Sequence, residues 1–159
     1  VLRAAKELTL NETGLVMGLW GGTTMIGAFL LGALSDRFGR RAVILWTAFP
    51  AAAAAFVLYY LLTSAGALAA GMLIYGTLRA TVPTLVIALA QDTTSSETIG
   101  AASGTIMSMH YVAAVTAPLF AAKIISGTGD MLLAMVLTSS VPLILFGAMI
   151  ASVRERKGP

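Results

Sequence analysis

Long stretches without a charged side chain alternate with short polar runs along the whole chain. No charged residue falls between Glu12 and Asp36, between Arg41 and Arg79, between Glu97 and Lys123, or between Asp130 and Arg154. An α-helix rises about 1.5 Å per residue, so roughly 20 apolar residues cross a bilayer core of about 30 Å. Three of the gaps are each one crossing long. The gap from Arg41 to Arg79 is too long for one crossing and holds a turn, most simply at Thr63, Ser64, Ala65 and Gly66. The pattern predicts five helices, over residues 13–35, 42–62, 65–91, 97–125 and 130–153. None carries the charged face that a helix needs toward water. The fold class expected is all-α, a polytopic transmembrane bundle, with its main partner the lipid bilayer.

Composition sharpens this. Charged residues make up 11% of the chain, against about 25% in soluble domains. The net charge of +3 is small and its basic residues sit in short loops, so nucleic acid is not an expected partner. There is no cysteine, which excludes a disulfide framework. Arg37, Arg40, Arg41, Arg154, Arg156 and Lys157 fall on one side of the expected topology, against Arg3, Lys6 and Lys123 on the other. The positive-inside bias then places loop 36–41 and the tail 154–159 in the cytoplasm, segment 1–12 outside, and the bundle over 13–153 in the cytoplasmic (inner) membrane. Tyr59 and Tyr60 are expected at the outer interface and Trp46 near the inner one. Small residues (Gly14, Gly18 and Gly22; Ala28 and Gly32; the alanines 51–55) suit close helix approach. The chain opens on Val1 with a polar, partly amphipathic stretch, which reads as a start inside a longer protein.

The first cytoplasmic loop reads Gly32-Ala-Leu-Ser-Asp36-Arg37-Phe-Gly39-Arg40-Arg41. It resembles the G-x-L-x-D-R-x-G-R-R signature of the major facilitator superfamily, found between the second and third helices of each half, and every defined position matches. From the residues themselves, Asp36 is expected to close a helix and accept charge-assisted hydrogen bonds from Arg40 or a neighbouring helix end. Gly39 permits a tight reversal, and Arg37, Arg40 and Arg41 are expected among lipid headgroups. The resemblance implies two six-helix halves that enclose a central path and rock about a midplane site. The present helices would then be two to six of a first half or eight to twelve of a second. The short end after the last span, the absence of an R-x-x-x-G run at Arg79, and a likeness of 83–104 to the tenth-to-eleventh helix junction of prokaryotic drug-efflux members favour the second. Against it, Ala113-x-x-x-Ala117-Pro118-x-x-Ala121-Ala122 resembles an antiporter signature of the fifth helix, with alanine at each glycine.

Arg79 is the residue most in need of explanation. It lies roughly 18 Å along the helix from Gln91, and a cation at mid-depth costs at least about 2.5–3.5 kcal/mol on insertion scales, so it is expected to face the bundle interior or a watery cavity. Tyr75, one turn earlier, could stack on the guanidinium. Pro83, one turn later, removes the backbone bond to the carbonyl of residue 79 and should kink the helix. Either Arg79 contacts an anionic substrate group or gating network, or it pairs with a carboxylate on helices outside this chain. His110, the sole histidine, is a candidate proton carrier because its ordinary pKa of about 6.5 suits coupling to protons; the alternative is a neutral imidazole hydrogen-bonded across a helix interface. Trp20, Thr23 and Thr24 are candidates for a substrate-facing surface, or else for core packing. Pro50, Pro118 and Pro142 are expected to bend helices.

These readings converge on part of a secondary active transporter for a small organic solute, with protons as the expected coupling partner and the missing helices of the same transporter as partners. The alternative is a non-transporting membrane piece or a subunit that pairs with a separate half. Gly127-x-Gly129-Asp130 matches a motif of intramembrane aspartyl proteases, but those need two aspartates at membrane depth. Asp130 reads better as a helix N-cap. Nothing calls for a metal, a cofactor or catalysis.

Overall fold

A computed structural model describes residues 2–152, apart from the side chains of Leu2 and Thr81. The expected tail 154–159, with Arg154, Arg156 and Lys157, lies outside the described residues. Among these the elements are helical throughout: α1 (Leu2–Lys6), α2 (Leu10–Phe38), α3 (Arg40–Phe56) running into a π-helical turn (Val57–Leu61), α4 (Ala65–Arg79), α5 (Thr81–Thr93), α6 (Ile99–Thr128) and α7 (Met131–Ser152). Five helices are long and apolar enough to cross a membrane, with α4 and α5 forming one of them.

The ends are set by capping chemistry. The first span begins at Leu10 because Thr9 and Glu12 form a capping box: the Glu12 amide donates to the Thr9 hydroxyl (3.3 Å) and the Thr9 amide to the Glu12 carboxylate (2.9 Å). It ends at Phe38, beyond the expected boundary, so Asp36 does not close the helix but sits inside its last turn. Gly39 is the terminator. Its φ of 87° and ψ of 141° reverse the chain in a single residue, which only glycine does without strain. The signature segment is therefore two helix ends meeting at one glycine. Ser64 caps α4, and the Asp130 carboxylate accepts from the Leu133 amide at 2.9 Å, capping α7.

The third span breaks at Ala80, between α4 and α5. Pro83 has no N–H to give the carbonyl of Arg79, and its ring crowds that carbonyl, so the ladder parts here.

Packing places α3 at the centre, against α2, α4, α5 and α7, while α2 lies along α4 and α6 packs mainly on α5 and α7. No residue of α6 is buried. The core gathers Val16, Ala51, Ala55, Leu58, Leu68, Met72 and Tyr75 in one cluster and Val43, Ile44, Leu85 and Ile150 in another. Close approach falls at other glycines than the spacing suggested. A Cβ at Gly14, Gly18, Gly22 or Gly32 would meet nothing within 4 Å, whereas one at Gly27 would lie 2.6 Å from the Thr77 carbonyl oxygen. Gly76 in turn abuts Thr23, so α2 and α4 touch backbone to backbone. Thr23 is thus core packing, and its hydroxyl bonds to Leu19 O at 2.7 Å and lies 3.4 Å from Met72 O. The alanine run does serve contact: Ala51, Ala52 and Ala55 are buried, and Ser140 donates across to the Ala52 carbonyl at 2.9 Å.

Candidate functional site

At the signature end the arginines turn toward protein. Arg40 pairs with Asp36 (3.6 Å) and also with Asp92, near the C-terminus of α5. Arg41 donates to the carbonyls of Ile150 (3.1 Å) and Ala151 (2.5 Å), the open end of α7. A cation at a helix C-terminus satisfies carbonyls that have no partner within the helix and meets the negative end of its dipole. One short segment thereby ties the ends of three spans. Arg37 alone of the three remains exposed. Two outcomes follow from the different environments. Replacing Arg41 by alanine should release the last turn of α7, raising amide exchange over 148–152 by about tenfold or more, as loss of a hydrogen bond to a charged donor allows. Asp92→Asn should lower thermal stability by no more than about 1 kcal/mol, an effect that salt removes, because the Arg40–Asp92 pair is half-exposed.

Arg79 lies at mid-bundle, at the break between α4 and α5. Its guanidinium sits 6.0 Å from the centroid of the Trp20 ring on α2. This is the stacking partner in place of Tyr75, which is buried and packs edge-on against Tyr59 with ring centroids 6.4 Å apart. The substitution has a geometric cause: α2 runs along α4 at the glycine contacts, bringing Trp20 over the arginine. Arg79 has no ion pair and no hydrogen bond among the described residues. The indole N–H of Trp20 is likewise buried without an acceptor among them.

Two cavities meet at Arg79. The larger, about 470 Å³, lies between α2, α5, α6 and α7, and brings Arg79 and His110 into one space with Thr24, Thr138, Ser139, Pro83 and Pro142. The hydroxyls of Thr24 and Thr138 each donate within their own helix, to Trp20 O and Ala134 O, both at 2.7 Å. Each keeps lone pairs free to accept from a solute. His110 makes no hydrogen bond among the described residues, and its ring lies edge-on to Tyr111 at 5.9 Å. The interface hydrogen bond considered for His110 is not formed within this bundle. The smaller cavity, about 210 Å³, is walled by Met17, Trp20, Tyr59, Met72, Tyr75, Arg79 and Ser139. Arg79 and Ser139 line both.

Tyr59 is the main displacement from expectation. It is buried in the bundle and lines the smaller cavity with Ser139, not placed in an interfacial belt. The π-helical turn that carries it shifts the angular register of the last residues of that span. The signal for Ser139 in the sequence is the polar doublet Ser139-Ser140, which interrupts the most apolar of the spans. Trp46 is exposed near the signature end, against Phe38 at 5.6 Å.

Five helices long and apolar enough to cross a bilayer define a multi-pass membrane protein. The chain belongs to the Major Facilitator Superfamily, whose sequence profile matches residues 2–159. Its five spans form a partial version of that helix bundle. A stretch of 39 residues is 44% identical to "Solute carrier family 22 member 6-A" of Xenopus laevis, covering 24% of this chain and 7% of that protein. The chain thus matches only a small part of that relative's length. No solved structure matches it. The superfamily is one of transporters.

Proposed function

We propose that the chain is the second half, helices eight to twelve, of a secondary transporter resembling prokaryotic drug-efflux members. It would move a small organic solute across the cytoplasmic membrane by alternating access, coupled to protons. The observation that carries this reading is the chamber of about 470 Å³ that brings together His110 and Arg79, which has no ion pair among the described residues. An exposed guanidinium on the cavity wall with no acid partner among the described residues favours a solute with negative charge, and His110 in the same space is the candidate proton carrier. Gly32, Asp36, Arg37, Gly39, Arg40 and Arg41 form the gating segment of this scheme, because they join helix ends that must part if the bundle rocks. Residues 1–12 are outside in this scheme, 13–153 span the membrane, and 154–159 form a cytoplasmic tail. The helices that face the open side of α6 complete the solute path. The similarity of a 39-residue stretch to a solute carrier supports transport without naming a solute.

The test is uptake and efflux of a panel of radiolabelled organic anions in cells that express the full-length protein, with and without a protonophore. Accumulation or extrusion above control cells, abolished by the protonophore, is the expected result. Flux unaffected by the protonophore would remove proton coupling. No flux for any solute, with the protein verified in the membrane, would favour the other reading, a non-transporting piece or pairing subunit. Uptake by the five-span segment alone would overturn the requirement for further helices.

A further inference from the structure

We infer that the larger chamber takes an amphoteric solute with an apolar body, its carboxylate on Arg79 and its ammonium on backbone carbonyls freed by prolines. This rests on the transport reading above and names the class of solute for it. A proline within a helix has no N–H, so the carbonyl four residues earlier loses its regular partner. Pro83, Pro118 and Pro142 do this to the carbonyls of Arg79, Ala114 and Thr138, which belong to different spans. All three of those residues line the same chamber. The hydroxyls of Thr84, Thr116 and Thr138 donate to other carbonyls of the chain, and no side chain among the described residues donates to these three. Pro50 differs: the carbonyl it frees is that of Trp46, which is not on the chamber wall.

The wall therefore offers more acceptors than donors. The hydroxyls of Thr24 and Thr138, committed as donors within their own helices, add further lone pairs. Water can meet these oxygens in the empty chamber. A simple anion would satisfy Arg79 but displace that water without returning a donor, and a bare carbonyl at membrane depth is costly. A simple cation would meet the carbonyls but also the guanidinium, and no acid lines the chamber to shield it. An ammonium group carries only donors, the complement of such a wall, and a carboxylate suits the guanidinium fork. A solute that bears both is neutral overall and sets each charge against its complement. Val82, Ala113, Ala117, Leu143 and Phe146 make up much of the remaining wall, so the rest of the solute is apolar.

The experiment is equilibrium binding of radiolabelled phenylalanine to the full-length protein in lipid nanodiscs. Unlabelled hydrocinnamate, which lacks the ammonium, and phenethylamine, which lacks the carboxylate, serve as competitors. Phenylalanine should bind saturably, with each competitor at least about tenfold weaker. Pro118→Ala and Pro142→Ala return an N–H to the carbonyls of Ala114 and Thr138. Each should weaken phenylalanine by about tenfold and leave hydrocinnamate unchanged, which also verifies that the site still folds. Arg79→Gln should weaken phenylalanine and hydrocinnamate alike and spare phenethylamine, and Pro50→Ala should change none of the three. Absence of saturable phenylalanine binding, either competitor binding as tightly as phenylalanine, or an unchanged preference for phenylalanine over hydrocinnamate in both proline variants would each overturn the assignment. Phenylalanine bound but never carried by cells would keep the site and remove the transport reading. Carriage of organic anions with no phenylalanine binding would do the reverse.

Discussion

Replacing Gly27 by valine should unfold the contact between the first and third spans and lower the stability of the bundle by about 3 kcal/mol or more. A Cβ at this position would lie 2.6 Å from the Thr77 carbonyl oxygen, 2.8 Å from the Thr77 Cα and 3.0 Å from the Ala80 Cβ. Two of those atoms are backbone, and the backbone of a packed helix cannot swing aside as a side-chain end can. Overpacking of this kind typically costs about 1–3 kcal/mol, and a β-branched group against backbone lies at the upper end or beyond. The neighbouring contact of Gly76 on Thr23 would open with it, and so would the stacking of Arg79 on Trp20, since each is held by the same approach of α2 to α4. Gly18→Ala supplies the control. Its Cβ would meet nothing within 4 Å, and alanine favours a helix over glycine by up to about 1 kcal/mol, so that variant should be as stable as the parent or slightly more so. Thermal denaturation in detergent, followed by intrinsic fluorescence and circular dichroism, reads both. A Gly27→Val protein that melts like the parent would mean that α2 and α4 do not approach as described.

The difference between Gly27 and Gly18 also marks where sequence reasoning ends. The five crossings are legible because the bilayer imposes them: a charge-free stretch of about 20 residues has few other uses. The break near Arg79 is legible too, since Pro83 must free that carbonyl whatever the surroundings. The reversal at Gly39 follows from the one residue type that tolerates its φ. Which side of each helix turns inward is another matter. In a soluble helix the polar face marks the outside, but here nearly every face is apolar, and periodicity loses its meaning. The evenly spaced glycines 14, 18 and 22 therefore suggested a packing seam, although a Cβ at any of them meets nothing within 4 Å, while Gly27 and Gly76, which share no spacing with them, make the contact. Tyr75 suggested itself as the partner of Arg79 because it lies on the same helix face. The actual partner, Trp20, comes from another helix, through a contact that no local pattern encodes. Asp92 escaped notice for the same reason. It lies 52 positions from Arg40 in sequence, and only the break in the third span and the packing of α5 on α3 bring them together.

Arg79→Gln should abolish flux of an anionic solute while making the protein easier to insert and more stable, two effects of opposite sign. The first follows from chemistry: the guanidinium is the cation shared by both cavities, and without it a carboxylate at mid-depth has no counter-charge. Loss of a hydrogen-bonded charge contact weakens binding by about 1.5–3 kcal/mol, and failure to compensate a desolvated anion adds to this, so flux should fall about 100-fold or more. The second follows from the membrane. A central arginine opposes insertion by about 2.5–3.5 kcal/mol, and glutamine removes most of that burden. Arg79 forms no ion pair and no hydrogen bond among the described residues, so its removal breaks only the contact with the Trp20 face. A structural arginine, neutralised by a carboxylate on other helices, behaves differently: its removal strands that carboxylate at depth and destabilises the protein by about 3–5 kcal/mol. Flux and thermal stability measured on the same preparation separate the cases. Lost flux with raised stability places Arg79 on the solute path. Lost flux with lowered stability makes it one half of a buried pair, and the chamber with His110 would then owe its charge balance to protein and not to solute.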